Sequence, residues 1–265
     1  MSKPSRDHYG GHAADYRKFR PGYPESLFEQ IFALSPGKSL AWDCGTGNGQ
    51  VAVRLAQDFE QVWATDLSEK QLRQATPHPR VAYRQAEAHQ SGLPDASCSL
   101  VTVATAVHWF DHKPFYEEVR RVLTPEGVIA VWTYGPNLVA PDSLAQLVGE
   151  LSASLDADWP PGIEWVQREY RDLPFPFAPL KLQPLQFTLD WSVEDLLGWI
   201  STWSAVHRHR KRTGKEPLDG VRERLESAWP GPSRRRIRLT FPLYYKVGRK
   251  DLSAEACEAG LTPIA

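Results

Sequence analysis

Apolar positions in the first half of the chain switch between two spacings. Leu27, Phe28, Ile31 and Phe32 share one helical face and predict a helix over about 24–34, with Pro24 suited to its first position and Glu25 to its N-terminal turn. A short apolar run over 39–43 reads as a strand, and Val51, Val53, Leu55 and Ala56 mark a helix over about 49–58. Further strands are predicted at 61–66, 81–85, 100–104 and 128–132. Ser68 with Gln71 forms a capping box after the second strand. A helix over about 113–122 and the turn Thr124-Pro125-Glu126-Gly127 precede the fifth. Strands alternating with helices specify a parallel sheet covered on both faces, a doubly wound α/β fold.

Past residue 134 the pattern changes. Pro160-Pro161-Gly162, Pro174-Phe175-Pro176-Phe177 and Pro179 break up a stretch too long for a simple connection, which reads as a cap over the substrate. A strand-like segment covers 181–189, and Ser192 then opens a helix in which Val193, Leu196, Leu197, Ile200 and Trp203 recur at helical spacing. That helix ends in the basic run His207-Arg208-His209-Arg210-Lys211-Arg212. Arg234-Arg235-Arg236 leads into a last strand over 237–247, bringing the strands to seven. The expected architecture is therefore α/β, a doubly wound, mostly parallel seven-stranded sheet with a helical and irregular cap insertion. Its parts are an N-terminal lid and first helix (1–36), a cofactor-binding core (37–135), a substrate cap with a sixth strand (136–215), a last helix and strand completing the core sheet (216–250) and a tail (251–265).

Composition narrows the partners. The formal net charge of −1 over 265 residues gives no reason to expect nucleic acid or membrane as the main partner. Cys44, Cys98 and Cys257 are too scattered for a zinc or iron–sulfur site and too few for a disulfide framework. No metal is expected, and a reducing cytoplasm is the expected setting for a chain that begins without a signal peptide. Most of the tryptophans and prolines fall after residue 130, which makes the cap aromatic.

The candidate chemistry lies between the first strand and the helix after it. Asp43-Cys44-Gly45-Thr46-Gly47-Asn48-Gly49 places glycines at alternate positions, where the backbone can turn sharply and a ligand can approach it closely. A dinucleotide fingerprint would require glycine at position 50, where the chain has Gln50. Asp43 would repel a pyrophosphate but could hold an amino-acid ammonium, directly or through water. The loop thus favours a zwitterionic cofactor. Asp66 ends the second strand 23 residues beyond Asp43, where α/β cofactor domains put a carboxylate on the ribose hydroxyls. Its plain alternative is a loop acid before a helix cap.

An acid followed by G-x-G-x-G resembles the first motif of the class I S-adenosylmethionine (SAM) methyltransferases. The His108-Trp109-Phe110 triplet at the end of the fourth strand resembles the type-11 branch that includes trans-aconitate methyltransferase-like proteins. The likeness runs from about Tyr16 to about Lys250, with specific motifs only to about 135. It implies SAM as cofactor, contacts from Gly45, Thr46, Gly47, Gly49, Asp66 and Leu67, and an adenine edge read by Gln85, by Glu87 or by the backbone amide of Ala86. Gln85 departs from the family's usual small polar residue. Thr105 and Ala106 would line the cleft opposite the glycine turn. Tyr16-x-x-x-Arg20-Pro21-x-Tyr23-Pro24 resembles an entry segment whose Tyr16 and Arg20 close over the cofactor, although the arm could simply cover the first helix.

The expected reaction is transfer of the sulfonium methyl to a small acceptor, with the protein supplying alignment and exclusion of water. A carboxylate acceptor is already ionised and needs no base, whereas a hydroxyl, amine or carbon acid would need one, for which His108 is the candidate. His108 and Trp109 are also candidate substrate contacts. Trp203, His207 and Arg210, at i, i+4 and i+7, would share a helical face able to receive an anion, or would simply be buried and solvated parts of that helix. An NAD-dependent oxidoreductase is disfavoured by Gln50 and Asp43. A SAM-binding protein without catalysis is the remaining alternative.

Overall fold

The computed structural model describes residues 19–135 and 137–250. Tyr16 and the tail after residue 250 lie outside the described residues. The first half contains α1 (Glu25–Leu34), β1 (Leu40–Cys44), α2 (Gln50–Leu55), β2 (Gln61–Asp66), α3 (Glu69–Leu72), β3 (Val81–Gln85), β4 (Cys98–Ala104), α4 (His112–Val122) and β5 (Leu123–Thr133). The second half contains α5 (Asp142–Ser154), α6 (Ile163–Gln167), β6 (Ala178–Leu180), β7 (Gln186–Trp191), α7 (Val193–Ser201), α8 (Ser204–Thr213), α9 (Val221–Ala228), β8 (Ile237–Pro242) and β9 (Tyr244–Arg249).

Seven strands form one sheet in the order β3-β2-β1-β4-β5-β9-β6, and β7 and β8 form a separate antiparallel pair. Strands β1 to β5 are parallel, and β9 runs antiparallel to both β5 and β6. The order reverses between β1 and β4, so a crevice opens at their carboxyl ends, where ligands of open α/β sheets bind. Alternation along the strands serves both faces. Ala41, Leu100, Val128 and Ala130 pack with α1 and α2, while Trp42, Val101, Ile129 and Val131 pack with Phe115 and Val119 of α4. The first of these clusters continues without a break into the cap, through Tyr134, Leu144, Phe187, Trp199, Trp203 and Phe241.

Four expected features differ. Pro24 caps α1 from extended geometry (φ −69°, ψ 146°) instead of occupying its first turn. The fifth strand begins at Leu123, and the turn at 124–127 interrupts its ladder with Glu126 at φ +65°. The single final strand is two strands, β8 pairing with β7 in the cap and β9 entering the core sheet. The strand-like 181–189 segment is strand only from Gln186, the start of β7, and β6 ends before it at Leu180.

The long helix from Ser192 also breaks. Its start is as read, because Ser192 and Asp195 form a reciprocal capping box. At Thr202, however, the hydroxyl donates to the Trp199 carbonyl at 2.6 Å, and Trp203 leaves the helix at ψ 135°. A side-chain bond to the preceding turn competes with the backbone ladder. Burial of the Trp203 ring against Trp159 and Trp199, at centroid distances of 5.6 and 5.3 Å, favours the bent form. Downstream, the buried Asp158 accepts from both Arg212 and His209, tying the turn before Trp159 to α8.

Candidate active site

All three glycines after β1 have left-handed backbones, with φ of +70° at Gly45, +56° at Gly47 and +82° at Gly49. Their reasons differ. A β-carbon on Gly45 would stand 2.7 Å from Cβ of Ala106, and one on Gly49 would stand 2.1 Å from the Tyr83 hydroxyl. Those two glycines admit the protein's own neighbours. A β-carbon on Gly47 would meet nothing within 4 Å, so the turn is open to a ligand there.

Asp43 is buried beneath this turn. It accepts from the Thr46 hydroxyl at 2.6 Å and from the Thr102 hydroxyl at 2.8 Å. Burial pushes its pKa up to about 6 against the pull of those two bonds, with the nearby Asp66 charge adding to the rise. Thr102 escaped the sequence reading because a threonine in an apolar strand carries no signal until its neighbour is known. Asp66 stands across the turn, where Oδ2 accepts from the Gly47 amide and Oδ1 from the Ser68 amide, each at 2.8 Å. Two backbone donors thus hold the carboxylate at the rim of the turn. Gln85 donates to the Leu67 carbonyl at 3.0 Å, and Glu87 faces His89. The Ala86 amide donates to the Asp66 carbonyl at 3.1 Å.

The other wall of the crevice follows β4. Thr105 has φ +52°, a strained value for a β-branched residue, and its hydroxyl meets that of Tyr23 at 2.8 Å. A short 3-10 turn, Val107–Trp109, then carries His108 inward, where it is 4% exposed. His108 Nδ1 lies 2.8 Å from the Tyr170 hydroxyl, a cap contact that no spacing in the sequence predicts. Phe110 packs beside Gly45 and against Phe115.

Between this wall and the cap lies a cavity of about 40 Å³ whose lining includes Arg20, Thr105, His108, Tyr134, Trp199 and Trp203. Arg20 reaches it from the N-terminal arm and donates through Nε to the Thr202 hydroxyl at 3.0 Å. The preceding Phe19 ring lies so close to Gly198 that a β-carbon there would be 2.3 Å from it. The structure thus brings Arg20, His108 and Trp203 together. Arg210 goes elsewhere: its Nε and Nη2 donate to Glu216 at 2.7 and 2.9 Å, and neither it nor His207 lines the cavity. Trp203 is the N-cap of α8, and the break at Thr202 separates this helix from α7.

The donor set fits SAM. A buried acid under an open glycine turn suits an ammonium, and a second acid at the end of β2 suits a diol. Among the described residues no group of three or more His, Cys, Asp and Glu is placed to hold a metal, and no helix is long and apolar enough to cross a membrane.

Comparison with known proteins agrees with this geometry. A family model described as a methyltransferase domain matches residues 42–131. A Dictyostelium discoideum protein named as a methyltransferase is 32% identical over 252 residues, covering 92% of this chain and 95% of that one. A Mycobacterium bovis protein, also named as a methyltransferase, is 27% identical and covers 82% of this chain and 85% of its own length. A solved structure named as a type II methyltransferase from Anaeromyxobacter dehalogenans superposes with a TM-score of 0.79 at 42% identity, covering 88% of this chain and 98% of that chain. With the crevice, the acids at the ends of β1 and β2 and these relatives in agreement, the chain belongs to the class I SAM-dependent methyltransferases.

Proposed function

We propose that this methyltransferase acts on a small carboxylic acid held between His108 and the cap tryptophans, as in the trans-aconitate methyltransferase-like branch that His108-Trp109-Phe110 resembles. The observation that carries this reading is the polarity of the cavity. Among the described residues its lining contains a guanidinium, Arg20, and no carboxylate. The lining residue Trp199 also has a buried indole N–H that meets no hydrogen-bond partner among the described residues. An orphaned buried donor costs about 1–3 kcal/mol, which an oxyanion would relieve.

When bound, SAM supplies an electrophilic methyl on a good leaving group. The chain's own residues then do the positioning. Asp43 holds the ammonium directly or through water, and Asp66 takes the ribose hydroxyls. Gln85 and Glu87 stand at the adenine edge, with Leu67, Thr105 and Ala106 beside the cofactor and Arg20 closing from the arm. The aromatic wall excludes water, and Arg20 with Trp199 orients the carboxylate.

The test is S-adenosylhomocysteine release across a panel of small carboxylic acids, amines and phenols. Turnover is expected with acids, with the KM for the acid raised in Arg20→Gln. Turnover confined to amines or phenols would overturn the proposal.

A further inference from the structure

His108 is gripped by the cap from two directions. A β-carbon on Gly162 would lie 2.0 Å from the His108 carbonyl oxygen, so this cap glycine, at φ +101°, sits directly on the backbone of the His108 turn. From the other direction Tyr170, 1% exposed, brings its hydroxyl to Nδ1. Glu169 and Tyr170 reach that position with consecutive left-handed backbones, at φ +60° and +57°. Left-handed geometry is unfavourable for residues with side chains, and two in succession persist only where the surroundings over-determine them. Here the Tyr170 amide donates to the Trp165 carbonyl at 2.8 Å and the Glu169 amide to that of Val166 at 2.9 Å. The strained turn delivers one functional atom to one ring nitrogen.

We infer that Tyr170 is a positioning residue that donates its hydroxyl proton to His108 Nδ1 and thereby keeps the imidazole in the Nε2–H tautomer. The direction follows from relative acidity. A phenol is a good donor and a poor acceptor, while the unprotonated imidazole nitrogen is a good acceptor, so the Tyr-to-His sense is the stronger of the two possible bonds. In that tautomer Nε2 carries the hydrogen and cannot remove a proton from the acceptor. His108 is then a donor that orients an already ionised acceptor and not a general base. This inference deepens the proposal of a carboxylate acceptor and rests on it for its catalytic meaning, while the tautomer itself can be observed without any acceptor.

The experiment is a long-range proton–nitrogen correlation spectrum of the full chain labelled with 15N-histidine, recorded above the imidazole titration range. His108 is assigned by loss of its signals in His108→Gln. The expected result is a protonated Nε2 and an unprotonated Nδ1 in the wild-type protein, with the Nδ1–H form appearing in Tyr170→Phe. A wild-type His108 carrying its proton on Nδ1 would overturn the inference whether or not Tyr170→Phe folds. So would a folded Tyr170→Phe with an unchanged tautomer. Titration of the same wild-type sample with SAM separates this from the cofactor reading, since absent binding would sink the site assignment and leave the tautomer result standing.

Discussion

The backbone amide of Gly47 donates to Asp66 Oδ2 at 2.8 Å, joining the open point of the glycine turn to the acid that ends the neighbouring strand. Turn and acid therefore act as one unit, and Asp66→Ala should cost both a ligand contact and the anchoring of the turn. We expect SAM affinity to fall by about 1–3 kcal/mol in calorimetry, the scale for losing charge-assisted hydrogen bonds. Unchanged affinity would remove Asp66 from the cofactor site.

Cofactor binding is expected to depend on pH through Asp43. Its pKa of about 6 in the fold exceeds the ordinary 3.8, so the buried carboxyl is ionised at neutral pH and takes up a proton as the pH falls through 6. Ionising it costs the fold some stability as pH rises between those values. Binding an ammonium needs the ionised form, so the SAM Kd should rise below pH 6, by up to about tenfold per unit. Asp43→Asn should bind weakly with a flat profile, and a sloping profile in that variant would assign the titration to another group.

Gly162 and Gly92 separate contact from conformation. Both have positive φ, +101° and +74°, but a β-carbon on Gly92 would meet nothing within 4 Å while one on Gly162 would strike the His108 carbonyl. Gly92→Ala should lose only about 1 kcal/mol for the backbone. Gly162→Ala should lose about 1–3 kcal/mol more through overpacking, as a lower midpoint in thermal melts. Equal midpoints would show that the cap slides freely over the His108 turn.

Two substitutions at His108 distinguish a donor from a base. The glutamine amide can donate a hydrogen bond and cannot act as a base. His108→Gln should therefore keep most of the turnover on an acid substrate, while His108→Ala should lose about 1.5–3 kcal/mol of transition-state stabilisation. Equal losses in the two variants would favour a proton-transfer role.

Residues 39–135 were legible in the sequence because strand and helix periods, glycine spacing and the acids ending β1 and β2 are local properties of the chain. Their chemistry follows from position along it, and the fold only had to bring the ends of β1, β2 and β4 together. The cap was not legible in this way. The bend at Thr202–Trp203 buries one tryptophan against Trp159 and Trp199, and Arg210 pairs with Glu216 outside the cavity lining. The left-handed Glu169-Tyr170 pair contradicts local preference and is held by its surroundings, and so are the approach of Gly162 to His108 and the pairing of Thr102 with Asp43. Local propensity determined the half of the chain that carries the glycine turn, whereas long-range burial, which no window of sequence contains, decided which side chains line the cavity.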